Sequence, residues 1–157
     1  LDLGVGKNVI RKTIPKIEFE GRVQYIKKGR LKRLLQSKEN LLIDGCHSTT
    51  SAQNLANYLK TIKKPIYGVW GMQSNRDPKK FIRCFRGVFK KIITLKIPNE
   101  PNSEKASRLK KIATEMGFNV NTAKNTLEAI QCLSNKKEKV IVIFGSLYLV
   151  GNALSLN

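Results

Sequence analysis

Residues 140–146 read Val-Ile-Val-Ile-Phe-Gly-Ser: five consecutive apolar residues, four of them β-branched, closed by a Gly-Ser pair. The run is too short for an amphipathic helix and lacks the polar alternation of a strand with one wet face. It predicts a strand buried on both faces, as at the centre of a parallel sheet with helices on either side.

Working upstream from it, shorter apolar runs alternate with helix-period segments. Leu41, Leu42 and Ile43 run into Asp44-Gly45, and a helix follows with Leu55, Ala56, Leu59 and Ile62 on one face. Thr50 is its expected N-cap and Gln53 the reciprocal partner three residues on. The run from Pro65 to Trp70 stops at Gly71, after which Asp77-Pro78 sets a cap with proline in the first turn of a helix carrying Phe81, Ile82, Phe85 and Phe89. Ile92 to Leu95 is followed by a loop with Pro98 and Pro101. Next comes a helix with Ser103 as the expected cap, Ala106, Leu109, Ile112, Ala113 and Met116 inside, and Gly117 as a left-handed stop. A further short strand is expected around Phe118 to Val120. Asn125, with Glu128 three residues on, opens a helix that buries Leu127, Ile130 and Leu133. Strands alternating with helices predict an α/β fold over residues 41–157, Rossmann-like, with a mostly parallel sheet flanked by helices. Residues 1–40 are basic and punctuated by glycine, and read as a lead-in or hinge with a hairpin-like stretch from Val23 to Ile26.

A chain of 157 residues holds one domain of ordinary size, and 41% hydrophobic with 26% charged residues is a globular composition. No apolar run approaches the roughly 20 residues that span a bilayer, and the N-terminus carries no secretory pattern, so a cytoplasmic monomer without a membrane partner is expected. The chain starts at Leu1 and not at Met, which is expected of a processed product or a piece of something longer. Cys46, Cys84 and Cys132 are odd in number and widely spaced, against a disulfide framework or a zinc site.

Thirty Lys and Arg against eleven Asp and Glu give a net charge of +19, so nucleic-acid binding stands as an alternative function. The charge is spread along the whole chain, mostly as Lys, and matches no RRM, KH or zinc-finger pattern. A solvated lysine surface is the favoured reading.

In an open parallel sheet, ligands bind beyond the carboxyl ends of the strands. Three such corners stand out: Asp44-Gly45-Cys46-His47-Ser48, Gly71-Met72 and Gly145-Ser146. An acidic residue at a strand end, as Asp44, suits ribose hydroxyls, and the following helix start offers free N–H groups. His47, the one histidine, lies in the first corner, where a satisfied loop residue is as good a reading as a functional one. Cys46 beside it invites a nucleophile reading, but neighbours on an extended loop point apart. Gly4-Val5-Gly6-Lys7 fails as a phosphate loop, because the spacing is short and Asn8 stands where Ser or Thr is needed. The chain carries no phosphate cradle of its own.

Taken together and in order, Gly21-Arg22, Asp44-Gly45-Cys46-His47, Gly71-Met72 leading to Arg76-Asp77, and Gly145-Ser146-Leu147-Tyr148-Leu149-Val150-Gly151 resemble the C-terminal domain of folylpolyglutamate synthase and dihydrofolate synthase, in the Mur ligase superfamily. The resemblance covers almost the whole chain. It implies a ligase of folate and one-carbon metabolism that activates a folate or pteroate carboxylate with MgATP as an acyl phosphate, which the amine of L-glutamate then displaces. It further implies that the P-loop and the Mg2+ ligands belong to a preceding domain, supplied in cis or in trans, and that this chain alone is inert. By motif, Arg22 is implied to reach ATP from the hinge and Asp44 to bind the ribose. His47 and Ser146 are implied to lie near the incoming glutamate, with Arg22 and His47 as the catalytic pair. The chain departs from the family at Phe19-Glu20 for Trp-Pro, Ser48-Thr49 for Asn-Pro, Arg76 for Lys and Asn152 for Glu. The altered corner keeps open a third reading, a decayed remnant without function.

Overall fold

The computed structural model describes residue 9 and residues 19–157; Gly4 to Lys7 lie outside them. Six strands form one sheet: β1 (Gln24–Tyr25), β2 (Glu39–Asp44), β3 (Ile66–Trp70), β4 (Phe89–Thr94), β5 (Val120–Thr122) and β6 (Lys139–Phe144). Among the described residues six helices of four or more residues accompany them: α1 (Arg30–Arg33), α2 (Thr49–Lys60), α3 (Pro78–Arg83), α4 (Ala106–Glu115), α5 (Thr126–Leu133) and α6 (Leu147–Ser155). The spatial order is β1-β2-β6-β3-β4-β5, parallel throughout except that β1 runs antiparallel to β2.

β6 sits between β2 and β3 and is buried at every position, from Lys139 at its start through the apolar run Val140 to Phe144. Its side chains alternate between two cores. Val140, Val142 and Phe144 join Leu55 and Leu59 of α2, Phe81 of α3 and Leu109 of α4 on one face. Ile141 and Ile143 join Leu31 of α1, Ile130 of α5 and Leu149 of α6 on the other. An aromatic stack fills the first core, with Phe144 4.8 Å from Phe89, 4.9 Å from Phe85 and 6.4 Å from Trp70 between ring centroids. The doubly covered α/β sheet expected from the sequence is present.

Several local expectations are corrected. Helix α2 is capped by Ser48, not Thr50, in a reciprocal capping box with Ser51, and Gln53 instead donates to Asn57 along the helix surface. Ser103 does not cap α4. Its Oγ accepts from the Ile97 N–H and donates to the Glu104 carbonyl, so it ties the β4–α4 loop to itself, and α4 starts after Lys105 with no side-chain cap. The short strand lies at Val120–Thr122, because Gly117 at φ 86 and the bond from Phe118 N–H to the Ala113 carbonyl still turn the chain at Phe118. The stretch at Val23 to Ile26 makes no hairpin with its neighbours, since its strand pairs with β2 at the sheet edge. Ile26, Leu31 and Leu35, from the stretch read as a lead-in, are buried in the second core. The caps at Asp77 and Asn125 are in place, accepting from Lys79 and Lys80 N–H and from Glu128 N–H.

Candidate functional site

The register of the three inner strands aligns their ends. Asp44 of β2 pairs with Phe144 of β6, and Phe144 pairs with Trp70 of β3. Each of these is the last residue of its strand, so Gly45, Gly145 and Gly71 follow in one row across the carboxyl edge. Three corners far apart in sequence thus become one site. A Cβ on Gly45 would collide with Leu147, and a Cβ on Gly145 would lie 2.5 Å from the Gly71 carbonyl oxygen. The backbones and side chains of the three corners are in contact.

Asp44 organises this edge. Its side chain is almost wholly buried, with Oδ2 accepting from Val23 N–H at 2.9 Å and Oδ1 from Cys46 N–H at 2.8 Å. Arg22 approaches loosely, Nη1 3.9 Å from Oδ1, with 41% of its side chain exposed. A guanidinium held this lightly is free to turn toward an anion. Val23 takes φ 44, a conformation that β-branched residues avoid and that costs about 1–3 kcal/mol. Its N–H bond to Asp44 holds it there, so a strained residue flanks the candidate nucleotide corner. No sequence signal marks Val23.

His47 is half-buried, with Nδ1 3.0 Å from the Gly45 carbonyl oxygen. A carbonyl only accepts, so in this bond Nδ1 carries the proton and Nε2 takes no part in it. Ser146 is buried and caps α6, accepting the Tyr148 N–H at 3.1 Å, which leaves its hydroxyl proton available. Of the four residues singled out from the sequence, Asp44 ends β2, His47 and Ser146 lie on the loops beyond β2 and β6, and Arg22 in the turn before β1 reaches Asp44. Among the described residues, no group of three or more His, Cys, Asp or Glu is placed to hold a metal ion, and no helix is long and apolar enough to cross a membrane.

Cys46 is fully buried, and that burial, with the Asp44 charge as the next contribution, pushes its thiol well above the ordinary 9.0. A thiol that keeps its proton is no nucleophile. Tyr25 is pushed up to about 12 by burial and by its hydrogen bond with Tyr58. Both groups hold protons in the folded chain that the unfolded chain releases from about pH 9 upward. Their contribution to stability is complete below that point and lost as pH rises through their folded values. Lys139, lowered from its ordinary 10.5 chiefly by burial, works in the opposite sense over the same range. The separable expectation is that Cys46→Ala loses less stability than the parent chain between pH 8 and about pH 10.5, measured by urea unfolding at each pH. Equal losses would remove Cys46 from the account.

A family model for the C-terminal domain of dihydrofolate synthetase matches residues 27–156. Solved structures share the fold. Mycobacterium tuberculosis folylpolyglutamate synthase, complexed with ADP and AMPPCP, superposes with a TM-score of 0.78 at 21% identity, over 97% of this chain and 35% of that one. Escherichia coli FolC, in complex with DHPP and ADP, gives 0.76 at 19% identity, over 96% and 34%. The bifunctional folylpolyglutamate synthase/dihydrofolate synthase of Yersinia pestis, with Mn, AMPPNP and L-glutamate bound, gives 0.75 at 18%, over 98% and 35%. No curated protein matches the sequence. The chain thus spans about a third of the length of these three structures, and at such identities the likeness establishes the fold. With a family model matched over nearly all the residues that make up the sheet and its helices, the chain belongs to the family of dihydrofolate synthetase C-terminal domains.

Proposed function

We propose that this chain is the closing domain of an ADP-forming ligase that adds L-glutamate to folate or dihydropteroate, and that it is inactive without a P-loop domain in cis or in trans. The observation that carries this reading is the convergence of Arg22, Asp44, His47 and Ser146 at the aligned ends of β2 and β6, in a chain of this family. The residues present fit a nucleotide. Asp44 is fixed by two backbone N–H groups and keeps lone pairs for a ribose hydroxyl, while Arg22 is free to turn toward phosphate. When bound, ATP supplies the phosphoryl group that activates the carboxylate. Arg22 then places fixed positive charge where negative charge develops, in a cleft that closure dries. His47, held through Nδ1, keeps Nε2 for the amine of glutamate, and Ser146 keeps a hydroxyl proton to donate on the same side. The described residues offer magnesium no ligand cluster, so no step is assigned to it on this chain.

The test mixes or fuses the chain with the P-loop domain of a folylpolyglutamate synthase and follows glutamate-dependent ADP release. Neither half alone should release ADP and the assembly should. In that assembly Asp44→Asn, which keeps the shape and one acceptor, should raise the KM for ATP about tenfold with a smaller change in kcat. An unchanged KM would remove the ribose assignment, and an inert assembly would remove the ligase reading.

A further inference from the structure

His47 is anchored by a side chain that lies outside the corner motifs. Ser51, in the first turn of α2, accepts the His47 N–H at 3.2 Å and the Ser48 N–H at 3.1 Å on the same Oγ. A hydroxyl has two lone pairs and one proton. With both lone pairs engaged, the proton is left for Ser48, whose carbonyl oxygen lies 3.0 Å and whose hydroxyl oxygen lies 2.9 Å from Ser51 Oγ. Every bonding position of the Ser51 hydroxyl is thus in use. A capping box requires only the bond to the N-cap N–H, here that of Ser48. The bond to His47, one residue further outside the helix, is additional.

The extra bond closes a short frame around the histidine. Gly45, Cys46 and His47 are all that lies between Asp44 at the end of β2 and Ser48 at the cap of α2. Gly45 N–H donates to the Gly21 carbonyl at 2.8 Å, Cys46 N–H to Asp44 Oδ1 at 2.8 Å, and His47 N–H to Ser51. All three main-chain donors are therefore satisfied, and only the bond from His47 ties the corner to the helix. The His47 ring turns back on this frame, with Nδ1 3.0 Å from the Gly45 carbonyl oxygen. That ring bond spans two residues, so it holds only while the main chain from Gly45 to His47 keeps its shape. Removing the Ser51 oxygen frees the His47 N–H, and with it the rotation of His47 about its own backbone.

We infer that Ser51 is a positioning residue for His47: its hydroxyl fixes the main chain of the corner, and the fixed main chain selects the ring tautomer with the proton on Nδ1. Ser51 touches no reacting atom. Its effect on ligation rests on the role proposed for His47, because a neutral imidazole protonated on Nδ1 is the one with a lone pair on Nε2 for an amine. Its effect on the ring does not depend on that role.

His47 is the one histidine of the chain, so long-range ¹H–¹⁵N spectra of the ¹⁵N-labelled 157-residue chain, taken where the ring is neutral, report its tautomer without ambiguity. The parent should show the Nδ1–H form. Ser51→Ala should lower the ratio of Nδ1–H to Nε2–H about fivefold to tenfold, the equivalent of one hydrogen bond, and Ser51→Thr, which returns the hydroxyl, should restore it. Ser48→Ala is the control for capping alone. It removes the oxygen that accepts the Ser51 N–H and leaves the Ser51 hydroxyl on His47, so it should weaken the helix start as Ser51→Ala does and keep the ratio at the parent value. A ratio unmoved by Ser51→Ala, or moved as much by Ser48→Ala, would overturn the assignment. In the chain assembled with a P-loop domain, Ser51→Ala should lower kcat about fivefold to tenfold at an unchanged KM for ATP, with recovery in Ser51→Thr. A shifted ratio with an unchanged kcat would keep Ser51 as the residue that sets the ring and remove His47 from the ligation step, so the two readings fail separately.

Discussion

Glu39→Ala should lower the unfolding free energy by about 3–5 kcal/mol, a large fraction of what a domain of this size possesses. Glu39 and Lys139 are the first residues of β2 and β6, aligned in register at the amino edge of the sheet and 0–1% exposed in their side chains. Glu39 Oε1 lies 3.7 Å from Lys139 Nζ and accepts the Asn135 N–H, while Oε2 accepts the Gln36 N–H and the Ser134 hydroxyl. Lys139 Nζ donates to the Leu133 carbonyl and Asn135 Oδ1, and lies 4.7 Å from the centre of the Tyr67 ring. The carboxylate thus closes both the α1–β2 turn and the α5–β6 turn. Removing it strands a buried ammonium and frees three donors at once, and in a coupled network that loss exceeds any single bond. The double variant Glu39→Leu with Lys139→Met should recover only the part of the loss that comes from the stranded ammonium, because the Asn135 N–H, the Gln36 N–H and the Ser134 hydroxyl stay without their acceptor. Urea unfolding of the two variants decides it. A single variant within about 1 kcal/mol of the parent would show the network to be of little weight.

That pair marks where reading the sequence stops. The inner strands were legible because burial on two faces demands uninterrupted apolar runs, and the corners were legible because strand ends in such sheets carry Gly and small polar residues. Asp44, His47 and Ser146 could therefore be named, and a shared motif order added Arg22. Their meeting at one edge depends on register, which places β6 between β2 and β3 and which no local pattern encodes. Glu39 and Lys139 read as ordinary charged punctuation at the start of strands, since their pairing spans a hundred residues of chain. Caps failed where candidates were crowded: Ser48, Thr49, Thr50 and Ser51 all suit a cap, and the reciprocal Ser48–Ser51 bonds select among them. Ser103 has the right chemistry for a cap but a better partner in Ile97 N–H across its own loop.

Gly145→Ala should destabilise the chain by about 2–6 kcal/mol and should scatter the site with it, adding about 1–3 kcal/mol of backbone strain to about 1–3 kcal/mol of overpacking. Gly145 has φ 110, where a side chain is strained whatever the space, and its Cβ would lie 2.5 Å from the Gly71 carbonyl oxygen and 2.6 Å from Trp70 Cδ1. Backbone on one side and a fully buried indole on the other leave little to yield. Trp70 Nε1, buried and without a hydrogen-bond partner among the described residues, lies 2.9 Å from the same Cβ position. Any relief has to separate the ends of β3 and β6, moving Ser146 off the cap of α6 and Leu147 off Gly45. Gly151→Ala provides the internal control. Gly151 lies inside α6 with nothing within 4 Å of a Cβ, so the same methyl should stabilise by about 1 kcal/mol through helix propensity. Opposite signs from one chemical change, read by urea unfolding, would tie the stability of the sheet to the closeness of its three corners. A neutral Gly145→Ala would mean that those corners can part without cost, and the convergence on which the functional reading rests would lose its rigidity.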